Sequence, residues 1–82
     1  VNSLIADGCD IQGSVKNSIL FRGVKVEKGA KVEGCILFKN TVVKKDATLR
    51  CVIADKYAVI NEGRQLMGHE HYPLVLGRGS EV

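Results

Sequence analysis

Residues 18–21 read Ser18-Ile19-Leu20-Phe21, and residues 35–38 read Cys35-Ile36-Leu37-Phe38. The spacing is 17, and it extends outward from this pair. Val24-x-Val26 returns as Thr41-x-Val43 and again as Ala58-x-Ile60, while Ala30-x-Val32 returns as Ala47-x-Leu49. Upstream, Ser3-Leu4-Ile5 precedes Ser18-Ile19-Leu20 by 15, with two residues missing around Gly13. Self-similarity at a fixed period marks a chain built from stacked units, each of which completes its core against its neighbours.

Inside each 17 lies a finer period. The series Ile5, Ile11, Val15, Leu20, Val26, Val32, Leu37, Val43, Leu49, Ala54 and Ile60 advances in steps of four to six residues. Two places before each member sits a small or β-branched residue, from Ser3, Cys9 and Gly13 through Ser18, Val24, Ala30 and Cys35 to Ala58. Residues two apart on a strand face the same way. Each short strand therefore points one small and one larger side chain inward. Between strands stand Gly8, Gly23, Gly29, Gly34 and Gly63, with Asn40 and Asp46 at equivalent places. These residue types tolerate tight turns and left-handed backbone. Three strands per coil describe a prism of triangular section. An amphipathic helix needs apolar residues at i, i+3, i+4 and i+7, which the series does not follow.

The composition suits this reading. A chain of 82 residues is marginal for a single globular core, and stacked coils avoid part of that difficulty. Hydrophobic residues make up 45%, too many for a disordered segment, and without tryptophan the core must be aliphatic. A net charge of +3 is too weak a footprint for a dedicated nucleic-acid binder. No stretch approaches the roughly 18 apolar residues of a membrane span. Cys9, Cys35 and Cys51 are odd in number and form no C-x-x-C pair, which points to buried thiols in a reducing, cytoplasmic setting. The chain opens at Val1 in mid-repeat, so it reads as the C-terminal piece of a longer protein.

Across residues 3–60 the pattern resembles the hexapeptide-repeat proteins. The resemblance implies an all-β, single-stranded, left-handed parallel β-helix of about 3.5 coils over residues 1–63, closed by an irregular C-terminal cap over 64–82. The wording of Asn2-Ser3-Leu4-Ile5-Ala6-Asp7-Gly8-Cys9 and Gly13-Ser14-Val15-Lys16-Asn17-Ser18-Ile19-Leu20-Phe21-Arg22-Gly23-Val24 is similar to the C-terminal domain of bacterial glucose-1-phosphate adenylyltransferases. The stretches Gly63-Arg64-Gln65-Leu66-Met67-Gly68 and Tyr72-Pro73-Leu74-Val75-Leu76-Gly77 resemble the GlgD-type regulatory branch of that family. This likeness implies a role in oligomerisation and regulation for ADP-glucose and glycogen synthesis. The partners it implies are an N-terminal catalytic-type domain and the other subunits of a homo- or heterotetramer. ATP and magnesium would serve the longer protein. No catalytic, cofactor-binding or metal-binding residue carries over onto this stretch. Two other classes compete: a β-helix module of another sugar-phosphate nucleotidyltransferase, and a hexapeptide acyltransferase. The absence of histidine before His69 counts against the second, because such enzymes use histidines projecting from the coils.

Two surface features stand out as candidate sites. The residue before each inward aliphatic points outward. On one face these are Leu4, Ile19, Ile36 and Ile53, flanked by Phe21 and Phe38, a continuous external aliphatic ladder of the kind that marks an interface. The chain's own tail, Leu66 to Leu76, is the competing cover. On the other two faces the outward residues are mixed, such as Asp10, Lys25, Val42 and Val59, or Ser14, Lys31 and Thr48. Lys28 and Lys45 fall 17 apart at one corner beside Lys44, with Lys25 on a flanking strand; these read as ordinary surface lysines that discourage edge-to-edge pairing, with the family resemblance offering an anionic metabolite effector as the alternative. His69-Glu70-His71 has too few partners for a zinc site and reads as polar tail, and Gly77-Arg78-Gly79-Ser80 reads as a turn.

Overall fold

The computed structural model describes residues 3–69 and 71–82; Val1, Asn2 and Glu70 lie outside the described residues. Each coil contributes one short strand to each of three parallel sheets. The first sheet stacks β1 (Leu4–Ile5), β4 (Ile19–Leu20), β7 (Ile36–Leu37), β10 (Val52–Ala54) and β13 (Leu74–Leu76). The second holds β2 (Asp10–Ile11), β5 (Lys25–Val26), β8 (Val42–Val43) and β11 (Val59–Ile60). The third holds β3 (Ser14–Lys16), β6 (Lys31–Glu33), β9 (Thr48–Arg50) and β12 (Gln65–Met67). The molecule is a parallel β-solenoid of about four turns. No helix among the described residues is long and apolar enough to cross a membrane.

The 17-residue repeat is the ladder register itself. Leu20 stands beside Leu37, Val26 beside Val43 and Val32 beside Leu49. In the first coil Leu4 pairs with Ile19 and Asp10 with Lys25, 15 apart, yet Ser14 pairs with Lys31, 17 apart. The two-residue shortening therefore lies between β2 and β3. Gln12 and Gly13 bridge there, where the next coil spends residues 27–30. A Cβ on Gly13 would press on the carbonyl oxygens of Ala30 and Glu27, so the shortcut needs a residue without one.

The prism is filled as the alternation requires. From Leu20 to Ile60 every inward position is buried, the small members Val24, Ala30, Cys35, Ala47, Val52 and Ala58 included. Each large aliphatic so placed contributes roughly 1.5–3 kcal/mol. Two hydroxyls enter this core and both are bonded. Ser18 Oγ donates to the Lys16 carbonyl at 2.8 Å and accepts the Cys35 N–H at 3.1 Å, while Thr41 Oγ1 donates to the Asp55 carbonyl at 3.1 Å. The first coil is covered on one side only, which leaves Ile5 48% exposed and Ile11 and Val15 half-buried.

The closing stretch is more regular than an irregular cap. β12 continues the third sheet on β9, β13 pairs with β10, and Glu81 bridges to Val59 in the second sheet. The 17-residue signal fails here because residues 69–73 are inserted at the corner. Val52 meets Leu74, a spacing of 22, and Leu76 is buried over Ala54. His69 and Tyr72 exchange backbone hydrogen bonds at 3.1 and 2.9 Å, folding the insertion back on itself.

The corners use left-handed backbone. Gly8, Gly23, Asn40, Tyr57 and Gly79 adopt it between the first and second sheets, with φ from 59° to 78°. Gly29, Asp46 and Gly63 do so at the next corner, and Asn17, Gly34 and Cys51 at the third.

Candidate interface

The outward ladder is real and longer than the sequence pattern shows. Leu4, Ile19, Ile36, Ile53 and Val75 occupy successive register positions on the first sheet. Leu4 is 70%, Ile19 39% and Val75 65% exposed, with Ile36 and Ile53 half-buried between them. Phe21 and Phe38 stack at the adjoining corner, ring centroids 4.9 Å apart and tilted by 44°. The tail does not cover this face. Residues 74–76 join the sheet as its end strand, so Val75 extends the ladder where a cover was the alternative. Val75 escaped sequence reading because the 69–73 insertion shifts it out of the 17-residue frame.

The lysine edge is brought together in part. Lys25, Lys28 and Lys45 line one cleft with Gln12 and Glu27; half-buried Lys44 is not among the lining residues. Glu27 occupies the middle of this arrangement. Its Oε1 accepts the Lys45 backbone N–H at 3.1 Å, and its Oε2 lies 4.0 Å from Lys25 Nζ. An anion entering the cleft would meet that carboxylate, which works against the effector reading.

Of the cysteines, Cys35 is buried and its Sγ donates to the Glu33 carbonyl at 3.2 Å. Burial pushes its thiol above the ordinary range, the neighbouring Cys51 adds to this, and backbone hydrogen bonding at Val52 opposes it. Cys51 sits at a corner with φ 54°, and Cys9 donates to the Phe21 carbonyl at 3.1 Å. Among the described residues, no three His, Cys, Asp or Glu side chains converge. His69 and His71 face each other at 5.5 Å, and His69 Nδ1 accepts the His71 N–H at 3.2 Å.

A three-faced parallel solenoid with a 17-residue register, small and large residues alternating inside, is a hexapeptide-repeat architecture. A family model described as GlmU-like, C-terminal hexapeptide matches residues 1–72. The chain belongs to that family. It is 49% identical over 78 residues to the glycogen biosynthesis protein GlgD of Bacillus subtilis (strain 168), covering 95% of this chain and 23% of that protein. It is 38% identical over 63 residues to the glucose-1-phosphate adenylyltransferase of Corynebacterium jeikeium (strain K411), covering 76% and 16%. It is also 38% identical over 71 residues to the glucose-1-phosphate adenylyltransferase of Shewanella amazonensis, covering 85% and 17%. The chain thus spans a quarter or less of the length of these relatives. No solved structure matches it.

Proposed function

We propose that this hexapeptide domain is the C-terminal oligomerisation and regulatory part of a glucose-1-phosphate adenylyltransferase-type subunit, of the GlgD kind, acting in cytoplasmic glycogen synthesis. It supplies contact surface rather than chemistry. The observation that carries the reading is the uncovered ladder Leu4, Ile19, Ile36, Ile53 and Val75, in a chain whose sequence is similar along 95% of its length to a GlgD protein. Stacked aliphatics on a flat sheet gain by being covered. The partners are an N-terminal catalytic-type domain and neighbouring subunits. ATP and magnesium belong to the chemistry of that other domain, and no residue of this one is assigned to hold them.

Sedimentation of the 82-residue chain tests the contact role. With its ladder bare, the chain forms dimers or larger species as concentration rises. A strict monomer at high concentration would remove the contact role from this face.

A further inference from the structure

The corner between the first and second sheets carries a feature that the 17-residue spacing of Arg22, Lys39 and Lys56 already contains. The Asn40 N–H donates to the Arg22 carbonyl, the Tyr57 N–H to the Lys39 carbonyl, and the Gly79 N–H to the Lys56 carbonyl. This equivalence sets Arg78 above Lys56 and completes a column of four cations over successive coils, Arg22, Lys39, Lys56 and Arg78, while the first coil places Asp7 at the same register. At a strand spacing of about 4.8 Å the column runs about 14 Å along the solenoid. All four residues are solvent-accessible, and none makes an ion pair among the described residues, where Lys25 with Glu27 is the one such pair.

Nothing in the fold calls for this arrangement. Like charges in register oppose the stack. At the same corner Tyr57 holds a bulky side chain at φ 61°, where the equivalent residues are Gly8, Gly23, Asn40 and Gly79. Strained backbone of this kind gathers at working surfaces. The Tyr57 ring lies under the Arg78 guanidinium, 5.9 Å from centroid to Cζ. Phe21 and Phe38 stand between the cation column and the aliphatic ladder in two successive coils, and Asp55 takes their register position in the next, beside Lys56. The other border of the first sheet is mixed, with Lys16, Glu33 and Arg50 in register.

We propose that this column is a charge key that orients the partner of the ladder, and that the partner is a protein face with an apolar centre and an acidic strip along one side. The inference rests on the reading of the ladder as a contact surface. Charge complementarity selects the occupant. Among the described acidic residues no two share a register position in adjacent coils, so a second copy has no matching strip to offer. An apolar centre with a charged rim is the ordinary anatomy of a protein interface, and a one-sided charge fixes its orientation.

The test uses poly-L-glutamate as the acidic probe, with binding measured by fluorescence anisotropy at low salt. Arg22→Ala, Lys39→Ala and Lys56→Ala together should weaken binding by about tenfold or more. The control triple Lys28→Ala, Lys31→Ala and Lys45→Ala removes the same charge elsewhere and should leave binding within about threefold. Both triples should melt like the wild type, since none of the six side chains is buried. Equal losses in the two triples, or no binding by the wild type, would overturn the key. Tighter corner-dependent binding of single-stranded oligothymidylate, or competition by millimolar inorganic phosphate, would overturn it in favour of a nucleic acid or a small anion. Ile19→Ser with Ile36→Ser separates the two readings: it should abolish self-association while leaving poly-L-glutamate binding intact. A wild type that binds the probe at this corner but never associates would fault the ladder reading alone.

Discussion

Neighbouring residues on the strands of the first sheet meet opposite fates. Leu20 and Leu37 point inward and are 1% and 0% exposed; Ile19 and Ile36, one residue earlier, point outward and lie open or half-open. The side chains are nearly the same in size and hydrophobicity. What separates them is the period-2 direction of the strand, which gives one row a closed prism and the other a flat face. The difference teaches that hydrophobicity alone does not locate the core of a solenoid. Inward aliphatics hold the coil together, whereas outward ones are available to another surface, and substitutions should sort accordingly.

The largest effect is expected from Leu37→Asp. A carboxylate there would be wholly enclosed among aliphatic side chains, with no partner to offset its desolvation. A domain of this size is stable by roughly 4–12 kcal/mol in total. The variant should show no cooperative thermal transition by circular dichroism. A variant that melts like the wild type would reverse the inward and outward assignment, since a one-residue slip exchanges the two rows.

Next comes Gly13→Ala, which probes how fully the prism is packed at the shortened corner. The added methyl would meet the carbonyl oxygens of Ala30 and Glu27, backbone atoms that cannot swing away. A loss of about 2 kcal/mol is expected, from overpacking. An unchanged melting temperature would show that the first coil can lengthen its turn, as the later coils do with four residues.

Legibility follows the same division. Register, turn positions and nearly every inward residue from Leu20 to Ile60 were readable because an unbroken repeat fixes them against one another. The ladder and its direction came with them. Legibility failed where the period breaks: the 69–73 insertion hid β13 and Val75 behind a spacing of 22. It failed also where an unsuited residue takes a turn position, since Tyr57 carries no composition signal for left-handed backbone. Glu27 shows a third limit. Its place among the lysines depends on side-chain reach across coils, which spacing does not specify.

A smaller effect concerns the small inward position at Cys35, where the thiol is held above its ordinary value chiefly by burial. A raised folded value means that the folded chain keeps the proton longer than the unfolded one. The resulting stability is fully present below about pH 8 and is lost as pH rises through the folded value. Cys35→Ala should cost about 1 kcal/mol or less at neutral pH, because the site is built for small groups. Above about pH 8, where the unfolded thiol begins to ionise, the wild type should lose stability relative to Cys35→Ala in paired thermal melts. Parallel pH profiles would mean that the buried thiol does not titrate with unfolding.

The smallest effect on stability is expected from Ile19→Lys combined with Ile36→Lys. Both side chains point away from the prism, and the long stem of a lysine can lie along the sheet while its ammonium reaches water. The change in folding free energy should stay within about 0.5 kcal/mol, the usual range for surface positions. The same pair should weaken association sharply, because each lysine places a charge at the centre of an apolar strip, where burial without a partner is unfavourable. Sedimentation and thermal melting on one sample separate the outcomes. A folded double variant that no longer associates assigns the ladder to contact. Unfolding would assign it to the fold, and the distinction between the two rows would collapse. A folded variant that associates as before would move the contact to another face, with the open first coil around Ile5 the next to test.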